Sequence, residues 1–147
     1  MPTIADLLKV KGSAVLTISP GATILDAARR MNEKRVGALV VVDDHMPDRI
    51  VGIVTERDIL TKVVAGEKPP ATTSVADAMS PRVLSCTPAT DMEEARAAMR
   101  ERRIRHLPVV DAQGGLCGMV SIGDLNQAQV RVLAETVMYL EQYSVRM

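Results

Sequence analysis

Aromatic side chains are nearly absent from this 147-residue sequence, which has no Phe, no Trp and only two tyrosines, Tyr139 and Tyr143. A planar ligand bound within the first 138 residues would therefore be held by aliphatic side chains and backbone, because this part of the chain has no Phe, Tyr or Trp side chain on which the ligand could stack. An excess of charge is also absent, because Lys+Arg and Asp+Glu both number 18. This balance argues against long-range attraction to nucleic acid, and no nucleic-acid partner is expected.

Metal-binding and membrane-spanning patterns are missing as well. The two cysteines, Cys86 and Cys117, form no Cys-x-x-Cys pair, and no His-x-x-x-His spacing exists, so no metal site is predicted. The longest apolar run, 38–42, is too short to cross a bilayer. The first eleven residues include Asp6 and no long apolar region, which does not fit a signal peptide. We expect a cytoplasmic protein without a membrane partner.

One seven-residue frame is present twice, as 52–58 (GIVTERD) and 118–124 (GMVSIGD). In both copies a glycine precedes two apolar residues, a hydroxyl side chain, and an aspartate three positions further on. Upstream residues also match, at an offset of 68 that joins Ala27 to Ala95 and Met31 to Met99. The apolar periodicity predicts helix–strand–helix–strand–strand–helix twice, with early strands over 14–18 and 82–86.

The repeat divides the chain into four predicted segments. These are a first repeat at 1–64, a linker at 65–73 rich in Pro and Gly, a second repeat at 74–125, and a C-terminal helix at 126–147. Each repeat is too small to bury its own sheet well, so the two are expected to pack face to face. The apolar side of the last helix either covers the core of the same chain or forms a dimer contact.

The hydroxyl and carboxylate side chains at the end of each seven-residue frame also have a purely structural interpretation. A Ser or Thr followed three residues later by an acidic residue is close to a capping box, which satisfies free amides at a helix start. Such pairs in the chain include Thr23 with Asp26, Thr55 with Asp58, Thr90 with Glu93, and Ser121 with Asp124. Capping explains any single pair, but recurrence of the whole frame indicates a further role for 52–58 and 118–124.

The duplicated frame, with the segments 75–79 (VADAM) and 105–111 (RHLPVVD), resembles a pair of cystathionine β-synthase (CBS) domains, together called a Bateman module. It is also similar to bacterial stand-alone CBS pairs that are regarded as signal-transduction proteins. The resemblance covers nearly the whole chain. It implies an α/β (α+β) fold in which two βαββα repeats pack pseudo-symmetrically through their sheets, followed by the long C-terminal helix.

The resemblance further implies a non-catalytic regulatory or sensor module, and no enzyme activity is expected. Two clefts between the repeats would bind adenosine-containing molecules. The candidates are AMP, ADP, ATP, NAD(H) and S-adenosylmethionine. A homodimer and a separate regulated protein are also implied, with no catalytic cofactor. The alternative is a protein-interaction module with unoccupied clefts. An enzyme site built on His106 with Asp111 or Cys117 has no supporting motif.

The side-chain chemistry agrees with this implication. A carboxylate can accept hydrogen bonds from both hydroxyls of a ribose, which gives Asp58 and Asp124 their predicted role. The hydroxyls of Thr55 and Ser121 can donate to a phosphate or ribose oxygen, and Arg57 can neutralise a phosphate. The predicted contacts of the first cleft are Ile53, Thr55, Arg57, Asp58, Val83, Leu84, Ile104, Arg105 and His106.

The second cleft is predicted by the same resemblance to contain Val15, Leu16, Val36, Gly37, Ala38, Met119, Ser121, Gly123 and Asp124. It has Gly37 and Ala38 where the first cleft has Arg105 and His106, so the two clefts are expected to differ in ligand or affinity. Two alternatives stay open for this cleft: it binds the polyphosphate of a nucleotide, or it binds only the adenosine part. The neighbouring Arg100, Arg102 and Arg103 are interpreted as a solvated helix end that complements the helix dipole.

Overall fold

The computed structural model describes residues 2–145, and positions 1, 146 and 147 of the predicted segments lie outside the described residues. The first half contains α1 (Ile4–Lys11), β1 (Thr17–Ile18), α2 (Ile24–Lys34), β2 (Ala38–Val42), β3 (Ile50–Thr55) and α3 (Glu56–Asp58), which continues as a π-helical segment (Ile59–Val64). The second half contains α4 (Val75–Ala78), α5 (Met92–Arg102), β4 (His106–Val110), β5 (Leu116–Ser121) and α6 (Ile122–Val145).

Each half is built on a small sheet. In the first, β2 pairs in parallel with β1 and antiparallel with β3, and in the second β4 pairs antiparallel with β5. Both hairpins carry the same irregularity in register, between Val41 and Val42 and between Val109 and Val110. The sequence repeat is therefore a structural repeat, and the predicted α/β fold with a long C-terminal helix is confirmed.

The early strands are shorter than predicted. Only Thr17–Ile18 of the expected strand 14–18 is extended and paired, and 82–86 contains no strand, only a single parallel bridge between Cys86 and Val109. In the first half the amide of Val40 donates to the carbonyl of Leu16. The corresponding residue in β4 is Pro108, which has no N–H to donate, so pairing cannot extend toward Leu84.

The two leading helices are exchanged between the halves. The apolar side of α1, with Ile4 and Leu7, packs in a core with Met99, Leu107 and Leu125 of the second half. Conversely, Val75 and Ala78 of α4 pack in the first-half core, whose other buried members include Ile24, Leu39 and Val54. Each half therefore depends on a helix that precedes the other half in sequence.

This exchange explains the glycine that opens each frame. A Cβ atom at Gly52 would lie 2.5 Å from Met79 Sδ and 3.1 Å from the carbonyl oxygen of Ser80. A Cβ atom at Gly118 would lie 3.0 Å from both terminal methyl groups of Leu8. The frame thus needs a residue without a side chain where the exchanged helix, or the chain that follows it, approaches the strand.

Helix capping follows the predicted pattern with one exception. Thr23 and Asp26 form a reciprocal capping box at the start of α2, and Thr55 and Asp58 do so at α3. The predicted pair of Thr90 and Glu93 is wrong, because Asp91 precedes α5 and its side chain caps no amide. Thr90 Oγ1 instead accepts a hydrogen bond from the amide of Thr87, within the preceding turn.

No helix of the described residues combines the length and the apolar character needed to cross a membrane.

Candidate functional site

A cavity of about 540 Å³ opens between β3 and α3 of the first half and the segments 80–84 and 102–108 of the second. It is lined by Gly37, Ile53, Thr55, Glu56, Arg57, Asp58, Ser80, Arg82, Val83, Leu84, Arg102, Arg103, Ile104, Arg105, His106 and Pro108. All nine residues predicted for the first cleft lie along this wall. Their contact with a ligand stays a prediction.

Backbone hydrogen bonds bring the two sides of this cavity together. The amide of Ile53 donates to the carbonyl of Ser80 at 3.0 Å, and the amide of Ser80 donates to the carbonyl of Ile53 at 2.8 Å. This pair places the chain after α4, including 82–84, beside β3. On the opposite side the amide of Ile122 donates to the carbonyl of Arg105 at 2.9 Å, which fixes the start of β4 against α6.

Asp58 lines the cavity, and the residue is 7% exposed. Its Oδ2 accepts from the amide and the hydroxyl of Thr55, at 2.9 and 3.1 Å. Its Oδ1 accepts from Ser80 Oγ at 3.1 Å and lies 3.2 Å from Lys62 Nζ. A carboxylate offers about four acceptor positions. A ligand hydroxyl at Asp58 would therefore displace the side chain of Ser80 or Lys62.

Positive charge dominates the lining of the cavity. Arg57, Arg82, Arg102, Arg103 and Arg105 face two carboxylates, those of Glu56 and Asp58, which leaves a formal excess of three positive charges. Burial lowers the pKa of His106, and the nearby carboxylates of Glu56 and Asp124 only partly oppose this effect, so the charged form of the imidazole is disfavoured. The positive charge of the cavity comes from arginine, and it suits an anionic group such as a phosphate.

Several residues of this wall were not predicted from the sequence. Arg102 and Arg103 are exposed, as expected of a solvated helix end, yet both also line the cavity. Arg103 has a φ of 55°, a left-handed conformation that ends α5 and turns the chain toward β4. The basic residues directly before the predicted strand at 104 were the sequence signal that could have indicated their place in the cavity. Arg82 and Ser80 gave no comparable signal, because their position depends on the bridge to Ile53.

The second predicted cleft has a different arrangement, centred on Lys11. The ammonium of Lys11 donates to the carbonyl of Met119 and to Asp124 Oδ2, each at 2.7 Å. Asp124 Oδ2 also accepts from the amide of Ser121 at 2.9 Å, and Ser121 Oγ accepts from the amide of Asp124 at 3.1 Å. The motif aspartate of the second half is thus bound by a cation of the same chain.

Burial opposes ionisation of Asp124, but the hydrogen bonds from Lys11 and Ser121 outweigh it, and the pKa of the carboxyl is lowered. Two of the nine predicted residues, Met119 and Asp124, accept from the ammonium of Lys11, and a third, Ser121, is hydrogen-bonded to Asp124. Of the others, Val15 is half-buried before β1, Leu16 and Val36 pack on the first-half core, Ala38 is buried in β2, Gly37 lines the first cavity and Gly123 is exposed in α6; their contact with a ligand stays a prediction.

Within residues 2–145, no group of three or more His, Cys, Asp or Glu side chains is arranged to hold a metal ion. The two cysteines are free thiols, and Cys86 is buried. Burial raises the pKa of Cys86 to about 11, so this thiol is protonated and unreactive at neutral pH.

The CBS domain family matches this sequence twice, over residues 4–65 and 75–131. The chain therefore belongs to the CBS domain family and contains a pair of these domains, which confirms the resemblance drawn from the motifs. A solved candidate signal-transduction protein with CBS domains from Burkholderia ambifaria is 41% identical, with a TM-score of 0.82, covering 88% of this chain and 94% of that one.

Two further relatives extend the comparison. The mitochondrial CBS domain-containing protein CBSX3 of Arabidopsis thaliana is 37% identical over 147 residues, covering 96% of this chain and 71% of the relative. The CBS domain protein PAE2072 of Pyrobaculum aerophilum, solved in complex with AMP, is 29% identical with a TM-score of 0.75. That alignment covers 83% of this chain and 88% of the relative.

Proposed function

We propose that this chain is a non-catalytic regulatory module that binds an adenosine-containing nucleotide in the first cavity and signals its presence to a partner protein. The observation that carries this proposal is that Asp58, Thr55 and five arginines line the same cavity, which lies between the two halves of the chain. The AMP complex of the Pyrobaculum aerophilum relative supports the same class of ligand. A cavity of about 540 Å³ is within the size range of small-molecule sites, roughly 300–1,000 Å³.

The lining suggests an orientation for the nucleotide. Asp58 would accept from the ribose hydroxyls, after Ser80 or Lys62 gives up its present contact. Aliphatic side chains would hold the base, since the cavity contains no Phe, Tyr or Trp; these are Ile53, Val83, Leu84 and Ile104. The phosphates would extend toward the arginines, where each charge-assisted hydrogen bond contributes about 1.5–3 kcal/mol.

The number of arginines favours ligands with more than one phosphate. Five guanidinium groups line the cavity, and a monophosphate can engage only a few of them. We therefore expect affinity to rise from AMP to ADP to ATP, by about tenfold for each added phosphate that gains one charge-assisted hydrogen bond. NAD(H), with its pyrophosphate, would follow the same rule, and S-adenosylmethionine, without a phosphate, would bind more weakly.

One observation favours a second function, an interaction module whose cavity stays empty. Four donors of the chain itself already surround Asp58, and its capping box with Thr55 explains its position without a ligand. In this case no nucleotide would stabilise the folded chain. The two functions are separated by a ligand-binding measurement.

The test is thermal unfolding of nucleotide-stripped protein with AMP, ADP, ATP, NAD, NADH, S-adenosylmethionine and GTP. A ligand at 100 times its dissociation constant adds about 2.7 kcal/mol, which raises the midpoint by roughly 5–11 °C for a chain of this length. Asp58→Ala should abolish most of the shift. Asp26→Ala is the matched control, because it removes an equivalent capping box outside the cavity.

A second pair of variants tests the phosphate assignment. Arg105→Ala should reduce the preference for ATP over AMP, whereas Arg100→Ala, on an arginine of α5 outside the lining, should leave it unchanged. No shift with any ligand, in protein shown to be folded and stripped, would favour the interaction module. An equal loss of the shift in Asp58→Ala and Asp26→Ala would contradict the ribose role of Asp58.

A further inference from the structure

His106 is the one histidine among the described residues that line the cavity, and it is half-buried at the start of β4. A Cβ atom at Gly37 would lie 3.4 Å from His106 Cε1 and 3.5 Å from Glu56 Cδ, so the imidazole and this carboxylate both lie beside Gly37. In the sheet, His106 pairs with Ser121 of the second frame. The imidazole therefore lies where the two halves of the chain meet, on the wall of the candidate nucleotide site.

Burial is the main reason why the pKa of His106 lies below its ordinary value of 6.5. Charged groups also face the imidazole from four parts of the chain. The carboxylates of Glu56 in α3 and Asp124 in α6 favour its protonated form, whereas Arg105, directly before β4, and Lys11 of α1 oppose it. Because Lys11 and Asp124 form an ion pair at 2.7 Å, their effects on His106 partly cancel.

The lining of the cavity also disfavours a further positive charge. Its five arginines and two carboxylates leave a formal excess of three positive charges before a ligand binds. Besides Glu56 and Arg105, the charged residues of the lining are Arg57, Asp58, Arg82, Arg102 and Arg103. A phosphate monoester brings a charge of about −1.5 to −2, and each further phosphate of a nucleotide adds about one more negative charge. AMP therefore leaves the lining positive, whereas ATP makes it negative.

We propose that His106 takes up a proton when a polyphosphate nucleotide binds in the cavity, and that it thereby makes the preference for ATP over AMP depend on pH. This role of His106 rests on the proposed function, and it adds a residue that determines which nucleotide is preferred. A phosphate near the imidazole favours the charged form, because opposite charges attract. The protonated ring can donate to the phosphate from either nitrogen, since both carry a hydrogen in that form.

Proton linkage gives the direction of the effect. ATP raises the pKa of His106 above its value in the unliganded chain, so the affinity for ATP increases as pH falls through the ATP-bound pKa. A difference of one pKa unit corresponds to about a tenfold change in affinity. AMP raises the pKa less, because it leaves the lining positive. We expect the affinity ratio of ATP to AMP to be at least about fivefold larger at pH 6 than at pH 8.

An NMR titration measures the ionisation of His106 directly. The chain has two histidines, and His45→Gln leaves only the ring signals of His106. We would titrate this variant from pH 5 to pH 9 without nucleotide, with saturating AMP and with saturating ATP. The midpoint should rise with AMP and rise further with ATP. The measurement needs no substitution at residue 106, so it does not depend on the folding of a variant at the site.

Calorimetry at pH 6, 7 and 8 gives the dissociation constants of ATP and AMP. The terminal phosphate of the ligand also takes up a proton in this range, with a pKa of about 6, and His106→Gln measures this background. The rise of the ATP to AMP ratio at low pH should be present in the wild type and lost in His106→Gln. His45→Gln is the matched control and should keep it, because His45 is exposed and lies outside the lining.

The outcomes distinguish this proposal from the proposed function. If neither nucleotide binds the wild-type chain at any pH, the proposed function fails and the role of His106 fails with it. If ATP binds but the NMR midpoint of His106 is the same with and without ATP, only the role of His106 is overturned. It is also overturned if His106→Gln keeps the full pH dependence of the ATP to AMP ratio.

Discussion

Replacing Lys11 by Met tests the contact that joins α1 to the second frame. The ammonium of Lys11 reaches the carbonyl of Met119 and the carboxylate of Asp124, each at 2.7 Å, and the two side chains are 30 and 23% exposed. A hydrogen bond to a charged group contributes about 1.5–3 kcal/mol, and partial exposure to solvent reduces this value. We expect a loss of about 1–2 kcal/mol, which lowers the unfolding midpoint by about 2–8 °C.

The pH dependence separates this contact from a general effect of the substitution. The pKa of Asp124 in the folded chain lies below its ordinary value of 3.8, although burial acts in the opposite direction. A depressed pKa contributes stability that is fully present above the unfolded value and is lost as pH falls through the folded value. The difference between wild type and Lys11→Met should therefore be complete at pH 6–7 and shrink as pH falls below 3.8.

Urea unfolding at a series of pH values measures this difference, and Lys9→Met on the same helix is the control. In an Asp124→Asn background the cost of Lys11→Met should fall, because the ion pair is already absent. The reasoning is refuted if Lys11→Met costs no more than Lys9→Met at pH 7. A cost that stays constant across the whole pH range would refute the role of the carboxylate.

Two further predictions concern packing and thiol reactivity. Gly52→Ala forces a Cβ atom to within 2.5 Å of Met79 Sδ, so we expect a loss of about 1–3 kcal/mol in urea unfolding. Gly21→Ala, whose Cβ would meet only Ser19 Oγ at 3.7 Å, should be nearly neutral. Native protein at pH 8 should be alkylated at Cys117 before Cys86, whose pKa of about 11 keeps it protonated, and mass spectrometry should find equal labelling in urea.

Local patterns predicted most of the secondary structure because the forces behind them act within a few residues. The capping boxes of Thr23 and Thr55 are satisfied by residues three positions away. The strand over 82–86 was predicted from its apolar character and its correspondence to 14–18 in the repeat, and it is absent because its partner strand has a proline at 108. That proline was visible in the sequence, but its effect depends on which residue it faces across the sheet.

The candidate cavity was predictable only in part for the same reason. Thr55 and Asp58 belong to one continuous frame, whereas the opposing wall with Val83, Leu84 and Arg105 was assigned through family resemblance. The contact of Lys11 with Asp124 spans 113 residues and exists because α1 packs on the second half. A pattern within α1 gives no indication of this contact.

The two frames differ in what completes the edge of their last strand. At β3 the backbone of Ser80 bonds to both polar groups of Ile53, so the site beside it stays open and keeps its uncompensated arginines. At β5 a side chain takes this place, since Lys11 bonds to the carbonyl of Met119 and neutralises Asp124. A ribose at Asp124 would have to break this 2.7 Å ion pair, whereas one at Asp58 would displace either Ser80 or the longer, 3.2 Å contact of Lys62. A cost of about 1–2 kcal/mol corresponds to roughly a 5- to 30-fold loss of affinity, so we expect the two nearly identical frames to bind a ribose unequally.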